Sequence, residues 1–295
     1  MFDYKLLNAL AAVVEQAGFE RAALALGLSQ SAVSQRIKLR EARVGQPVLV
    51  RAVPPVPTAI GRRLLNHVQQ VRLLERDLKV PGLDEALRPE RLRIAVNADS
   101  LATWWAEAMG AFFQAQEVLF DLVVEDQDVA LKRMRAGDVA ACLCAHQSPI
   151  AGARSLELGA MRYLAVASPA FVARYLKSIS PKTLGTTPTV VFGPDDRFQH
   201  RYLAEQGYVG EVNYHLCPSS EGFLRLVLAG LGWGMLPEAQ AIPYLEKGLL
   251  VELIDDTAMD VMLYWHHWRN GSALMSQLTT QLDIHAAKTL RRTIG

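Results

Sequence analysis

The chain has 295 residues, 51% of them hydrophobic and 21% charged, with a formal net charge of +1. That length predicts two or three compact units, and the composition excludes a disordered chain. No apolar run reaches the ~18 residues that span a bilayer, and the start at Met1 lacks a basic leader with an apolar core. Three cysteines, Cys142, Cys144 and Cys217, form an odd set suited to a reducing compartment, so the expectation is a cytoplasmic protein with no membrane partner.

The small net charge conceals an asymmetry. Residues 1–80 hold 12 Lys and Arg against 6 Asp and Glu, whereas the remainder holds 19 against 24. A basic N-terminal part supplies the salt-sensitive share of an affinity for nucleic acid, through release of counterions from phosphates.

Leu6, Leu7, Leu10, Val13 and Val14 recur at helical spacing and predict a first helix ending by Gly18. Residues 18–44, GFERAALALGLSQSAVSQRIKLREARV, then give a small-residue helix, a turn at Gly27-Leu28-Ser29 and a second helix. In that helix Val33 and Ile37 share one face, and Ser31, Ser34, Gln35 and Lys38 the other. This is the pattern of a helix-turn-helix whose exposed face enters a major groove. Ser29 is placed to cap it, and the free amides there favour a nearby phosphate. An ordinary amphipathic helix pair is the alternative reading. The candidate DNA contacts are Ser29, Gln30, Ser31, Ser34, Gln35 and Lys38, with Arg36 and Arg51 mainly on the backbone.

Gly45-Gln46-Pro47 breaks the chain, and Val48–Arg51 reads as a short strand running into Val53-Pro54-Pro55-Val56-Pro57. Prolines at this density predict an exposed edge hairpin, the wing of a winged helix. Thr58 caps a helix expected to run to about Lys79, before Pro81-Gly82. Its apolar positions Leu64, Val68, Val71, Leu74 and Leu78 form a narrow stripe that predicts pairing with a second copy. Packing against its own wing domain is the competing reading.

From Arg91 onward, short β-type runs alternate with helices: 92–96, 120–125, 139–144, 163–167, 190–192 and 212–216. This predicts an α/β fold with parallel sheets. Enzymatic patterns are absent. Cys142-Leu143-Cys144 and His266-His267 lack zinc spacing, Gly230-x-Gly232-x-Gly234 lacks the dinucleotide spacing, and no nucleophile or carboxylate pair is built. No cofactor and no metal are expected, and Trp104, Trp105 and Trp265 read as packing residues.

The runs LSQSAVSQRIK at 28–38, GQPVLVR at 45–51 and PTAIG at 57–61 resemble the LysR-type transcriptional regulators, and the similarity extends along the full chain. VRAVPPVPT at 50–58, VNADSLATWW at 96–105, VVED at 123–126 and MLYWH at 262–266 resemble the branch of that family that responds to basic amino acids, the ArgP/LysG regulators. The resemblance implies an N-terminal winged helix-turn-helix at 1–58 and a linker/dimerisation helix at 59–80. It also implies a periplasmic-binding-protein-like α/β effector domain, with subdomain I at 91–161 plus 268–295, subdomain II at 162–267, and hinge crossings near 161 and 267. One departure is Leu39-Arg40-Glu41: the family pattern carries Leu where Arg40 stands, on the core side of the helix. Either Arg40 snorkels over the helix end or the helix stops differently.

Ligands of open α/β folds gather at strand carboxyl ends and at the N-termini of following helices. The first strand delivers Asn97-Ala98-Asp99-Ser100 into a helix, where Ser100, Thr103 and helix amides are placed for an amino-acid carboxylate. Asp99 is counted among the effector-binding candidates there; Glu125 and Asp126, with Asp128 close behind, offer acceptors for an ammonium or guanidinium group, and Ser219, Ser220 and Glu221 face them from the second subdomain. The competing reading makes these residues helix caps and first-turn acids only.

The implied partners are a pseudo-palindromic double-stranded operator, a lysine- or arginine-like effector, a second copy in a homodimer or homotetramer, and RNA polymerase. The implied role is control of amino-acid export or metabolism genes. The alternatives are an effector-independent nucleoid-type DNA-binding protein, whose α/β part serves assembly, and a solute-binding or enzymatic protein with an incidental helix-turn-helix.

Overall fold

The computed structural model describes residues 3–78, 90–116, 118–125, 129–148, 150–194, 196–269 and 271–292, with side chains there except those of Arg76, Glu90 and Glu125. The N-terminal part comprises α1 (Tyr4–Glu15), α2 (Phe19–Leu26), α3 (Gln30–Val44), β1 (Leu49–Val50), β2 (Val56–Pro57) and α4 (Ala59–Asp77). Leu7, Leu10 and Val13 of α1, Ala22 and Ala23 of α2, and Val33 and Ile37 of α3 meet in one core. The alanines let α2 lie close against its neighbours. Gly27 makes the turn between α2 and α3 in the left-handed region, with φ 63°, and Ser29 Oγ accepts the Ala32 amide at 3.2 Å to cap α3.

β1 and β2 pair antiparallel as a hairpin, the wing read from the prolines. Its base is fixed by side chains: Val48 N–H donates to Glu41 Oε1 at 3.0 Å, and Thr58 Oγ1 to the Pro47 carbonyl at 2.9 Å. α4 passes close beneath this hairpin. A Cβ on Gly61 would collide with the Val48 carbonyl, which is the physical reason for glycine in the PTAIG run.

The apolar stripe of α4 divides. Leu64 and Val68 are buried in the N-terminal core, Leu73 is buried in the core of the α/β part, and Leu74 and Leu78 remain exposed. The expectation of one seam reserved for a second copy is therefore corrected for Leu64 and Val68, which the wing domain covers. Lys79 and Pro81-Gly82 lie outside the described residues.

The rest of the chain is built on a seven-stranded sheet. β3 (Glu90–Asn97) pairs in parallel with β4 (Val118–Glu125) and β5 (Ala141–Cys144). β6 (Ala153–Ala167) and β11 (Met259–Trp268) are long strands that pair antiparallel with each other. β11 also pairs antiparallel with β5, and β6 with β9 (Gly234–Pro237) and β10 (Val251–Glu252). The sheet is thus mixed, not parallel throughout. Residues 153–162 and 259–268 escaped the expected strand set because both strands are half-buried along stretches of irregular alternation. Their register shifts between Leu263 and Tyr264.

After β3 the chain turns at once into α5 (Ala98–Ser100), a π-helical turn at Leu101–Trp105 and α6 (Ala106–Ala115). α7 (Ala130–Arg135) leads into β5. The second lobe carries α8 (Pro169–Tyr175), α9 (Pro181–Thr186), α10 (Phe198–Glu205), α11 (Ser220–Leu228) and α12 (Glu238–Leu245) around a parallel pair, β7 (Thr189–Val191) and β8 (Tyr214–Leu216). α13 (Ala273–Thr289) belongs to the same core as α6. Trp105 and Trp265 stack tilted at 5.8 Å in that core, both buried, so the tryptophans serve packing.

Candidate nucleic-acid interface and effector cleft

The polar face of α3 stands outward. Ser29, Gln30, Ser31, Gln35 and Lys38 are exposed, Ser34 and Arg36 are half-buried, and Val33 and Ile37 hold the helix to its core. Gln30, Ser34 and Arg51 line one hollow with Arg21 and the wing residues Val53 and Pro55. Helix face and wing therefore present one continuous surface, with arginines at its border. Arg21 was not among the expected contacts, because it lies on α2 and only the tertiary turn brings it beside Arg51. Arg40 stays on the core side, 5% exposed, and α3 continues to Val44. Burial lowers its pKa, Arg43 adds to that, and Asp3 opposes it.

A second hollow, of about 570 Å³, opens between the end of β3, the crossing strands and the second lobe. Asp99 and Ser220 line it from opposite sides. Asp99 Oδ1 accepts the Ser220 hydroxyl at 2.9 Å, and Oδ2 accepts the Tyr163 hydroxyl at 2.8 Å. The floor is polar. Asn97 is 2% exposed, and neither its carbonyl nor its amide group has a hydrogen-bond partner among the described residues. Gln199 is also buried; its amide donates to the Val190 carbonyl at 2.7 Å, while its own oxygen has none. Buried polar groups left in that state are costly unless something polar meets them.

The lining carries the carboxylates of Asp99, Asp196, Glu205 and Asp260 against the guanidinium groups of Arg197 and Arg201. Asp196 is partly used locally: its oxygens accept the Phe192 and Phe198 amides at 2.9 and 2.8 Å, holding the entry to α10.

The other expected effector residues fall elsewhere. Ser100 is fully buried, its hydroxyl unpartnered among the described residues, and is outside the lining. Thr103 donates to the Asp99 carbonyl at 2.6 Å, which occupies its hydroxyl on its own helix. Ser219 caps α11 by accepting the Gly222 amide, and Glu221 pairs with Arg225 at 2.8 Å on the surface. The Glu125 side chain and Asp126 lie outside the described residues. Asn97 could have been read from the sequence as the last residue of β3; Gln199 and Asp260 carry no local signal.

Among the described residues no group of His, Cys, Asp and Glu is placed to hold a metal, and no helix is long and apolar enough to cross a membrane. Cys142 and Cys144 are buried on β5 and Cys217 is half-buried, all three as free thiols.

The family model for the bacterial regulatory helix-turn-helix protein, lysR family, matches residues 4–62, and that for the LysR substrate binding domain matches residues 86–286. The chain belongs to the LysR family. Within that family it belongs to the ArgP branch. It is 68% identical over 293 residues to the HTH-type transcriptional regulator ArgP of Pseudomonas fluorescens (strain Pf0-1), covering 98% of this chain and 99% of that protein. Among solved structures, ArgP from Mycobacterium tuberculosis superposes with TM-score 0.83 at 36% identity, covering 99% of this chain and 100% of that one. Full-length LysG from Corynebacterium glutamicum with bound effector Arg superposes with TM-score 0.72 at 34% identity, covering 98% and 100%. LysR proteins are effector-controlled, DNA-binding transcriptional regulators and not enzymes, so this chain joins a DNA-reading head to an effector domain.

Proposed function

We propose that this LysR regulator senses a basic amino acid, arginine or lysine, in the hollow bounded by Asp99 and Ser220, and so controls genes of amino-acid export or metabolism. The observation that carries the reading is the buried amide of Asn97, unpartnered among the described residues, facing a hollow edged by carboxylates. An amino acid supplies both donors and acceptors for that amide, and a cationic side chain suits a lining with more carboxylates than guanidinium groups. The LysG relative with bound Arg supports the same class of ligand. Asp99 is the natural seat for an ammonium group. Ser100, Thr103, Ser219 and Glu221 are assigned to the surrounding shell, and the effector role of Glu125 and Asp126 rests on the sequence reading.

On the DNA side, Gln30, Ser31, Ser34, Gln35 and Lys38 read the major groove while Ser29, Arg36 and Arg51 hold phosphates. A dimer then covers half-sites about 34 to 36 Å apart or a multiple of it. Exposed Leu74 on α4 and Leu78 just past its end provide the apolar end for pairing with a second copy in a cytoplasmic homodimer or homotetramer. The working units are 1–58, 59–80, 91–161 with 268–295, and 162–267. At promoters, RNA polymerase is the further partner.

The test is titration calorimetry of the full chain with arginine, lysine, glutamate and leucine, followed by footprinting on a promoter fragment with each. Saturable binding of arginine or lysine alone, with a changed footprint, is the expected result. Heat from none of the four, beside an unchanged footprint, would overturn the sensor reading and leave an effector-independent DNA-binding protein.

A further inference from the structure

A carboxylate of the effector domain links that domain to the wing by way of α4. Asp138, in the turn between α7 and β5, has a side chain only 9% exposed, and its Oδ1 lies 2.7 Å from Arg62 Nε in an ion pair. Arg133 of α7 donates to its Oδ2 at 3.0 Å. The same Arg62 guanidinium donates through Nη1 to the carbonyl of Pro57, the last residue of the wing strand β2, at 2.9 Å. A continuous path thus runs from wing to Arg62, to Asp138, to Arg133 and α7. Beside it, Arg63 lies over Gly137.

The far end of α4 is held too. Asp77 Oδ2 accepts the amide of Ala273, the first residue of α13, at 2.7 Å, and Leu73 is buried among effector-domain side chains. The first half of α4 is fixed to the head by Leu64 and Val68 and its far end to the effector domain by Leu73 and Asp77, so a turn of the head, carrying Arg62 with it, breaks the Asp138 contact. At the other end of the path, α7 follows β4 in the chain, and β4 ends at Glu125, paired in register with Asn97 at the cleft floor.

The geometry points to Asp138 as a breakable clasp, a positioning residue through which the state of the cleft sets the angle of the wing. A carboxylate between two guanidinium groups is suited to this work. Its attraction is strong while shielded from water and weak once a small rotation admits solvent, so two discrete arrangements are favoured over a continuum. The stimulus rests on the effector reading of the cleft; the clasp itself does not.

The experiment uses the full chain with Asp138→Asn, Arg62→Gln and the double substitution. Without any effector, amide hydrogen exchange is followed in segments 48–58 and 130–140. Asp138→Asn is expected to speed exchange in both by about threefold or more while the thermal midpoint stays close to that of the parent. The double substitution should add little to either single one, as for groups acting on each other.

With arginine, coupling between sites is commonly about 5- to 150-fold, and the ratio of promoter-fragment affinities with and without arginine should fall at least about threefold toward unity in Asp138→Asn. Asp138 is outside the cleft lining, so arginine should still bind Asp138→Asn saturably, with an affinity shifted by no more than the coupling factor itself. Unchanged exchange in the wing, additive single effects or a retained affinity ratio would each overturn the clasp. If the parent protein binds neither arginine nor lysine, the effector reading fails, while the exchange measurement still decides the clasp.

Discussion

Asp99 accepts the Ser220 hydroxyl at 2.9 Å across the cleft, joining residues 121 positions apart in sequence. One partner leaves the end of β3 and the other opens α11, whose free amides and positive dipole end favour an anion at that place. Tyr163, from the crossing strand β6, holds the second oxygen of the same carboxylate. Two lobes and the strand between them thus meet at one charge, and a ligand ammonium arriving there finds an acceptor already oriented.

Replacing Asp99 should then weaken effector binding more than it weakens the fold. A hydrogen bond to a charged group contributes about 1.5–3 kcal/mol. Since 1.4 kcal/mol is tenfold in affinity, Asp99→Asn should weaken arginine or lysine binding by about 10- to 100-fold in titration calorimetry. Ser220→Ala should cost less, because it removes only an orienting partner. Equal affinity of Asp99→Asn and the parent would remove Asp99 from the binding role.

The head makes a separate prediction. Lys38 is exposed on the outer face of α3, whereas Ser34 lies in the hollow shared with Arg51. Lys38→Ala should lower affinity for all DNA sequences and reduce the slope of log affinity against log salt by about 1. Ser34→Ala should leave that slope in place and lower the preference for operator over random DNA. Gel-shift titrations at several salt concentrations separate the two, and unchanged binding by the double substitution would displace α3 from the groove.

Much of this was legible because local chemistry sufficed. Ser29, Gly27 and Thr58 mark element ends through their own hydrogen bonds and backbone angles, so α3 and α4 could be placed from sequence. The run 97–100 likewise announced a strand end beside a helix start. The cleft was legible only in part. Asp99 and Ser220 sit at element ends that a one-dimensional reading can find, but Gln199 and Asp260 reach the hollow through the folding of the second lobe and the register of β11 on β6. The same limit hid Asp138, whose meaning depends on Arg62, 76 positions earlier, and not on its neighbours.

Arg40 offers a test of local packing. It is 5% exposed on the core side of α3, and burial holds its guanidinium below its usual pKa, with Arg43 adding to that and Asp3 opposing it. Burying a charge costs free energy that an apolar side chain at the same position does not incur. Arg40→Leu, which restores the family pattern, should therefore raise the thermal midpoint of the head by a few degrees without changing operator affinity. A lowered midpoint would show that Arg40 contributes more through its contacts than its burial costs.

His267 sets a pH dependence whose sign can be worked out. It sits in β11 with Nδ1 3.0 Å from the Trp268 carbonyl oxygen, and its pKa falls below 6.5 mainly through burial, with Arg154 and His266 adding to this and the Trp268 carbonyl opposing it. The native state therefore binds this proton less readily than the unfolded chain does. Well above 6.5 both forms are neutral and the group contributes nothing to pH dependence. As pH falls from 6.5 through the depressed native pKa, the unfolded chain takes up the proton first and the fold loses stability, at a ceiling of about 1.4 kcal/mol per pH unit. His267→Gln removes that proton and should flatten the decline of the thermal midpoint on acidification below 6.5, leaving the value at neutral pH little changed. A decline as steep as that of the parent would assign the acid sensitivity to another group.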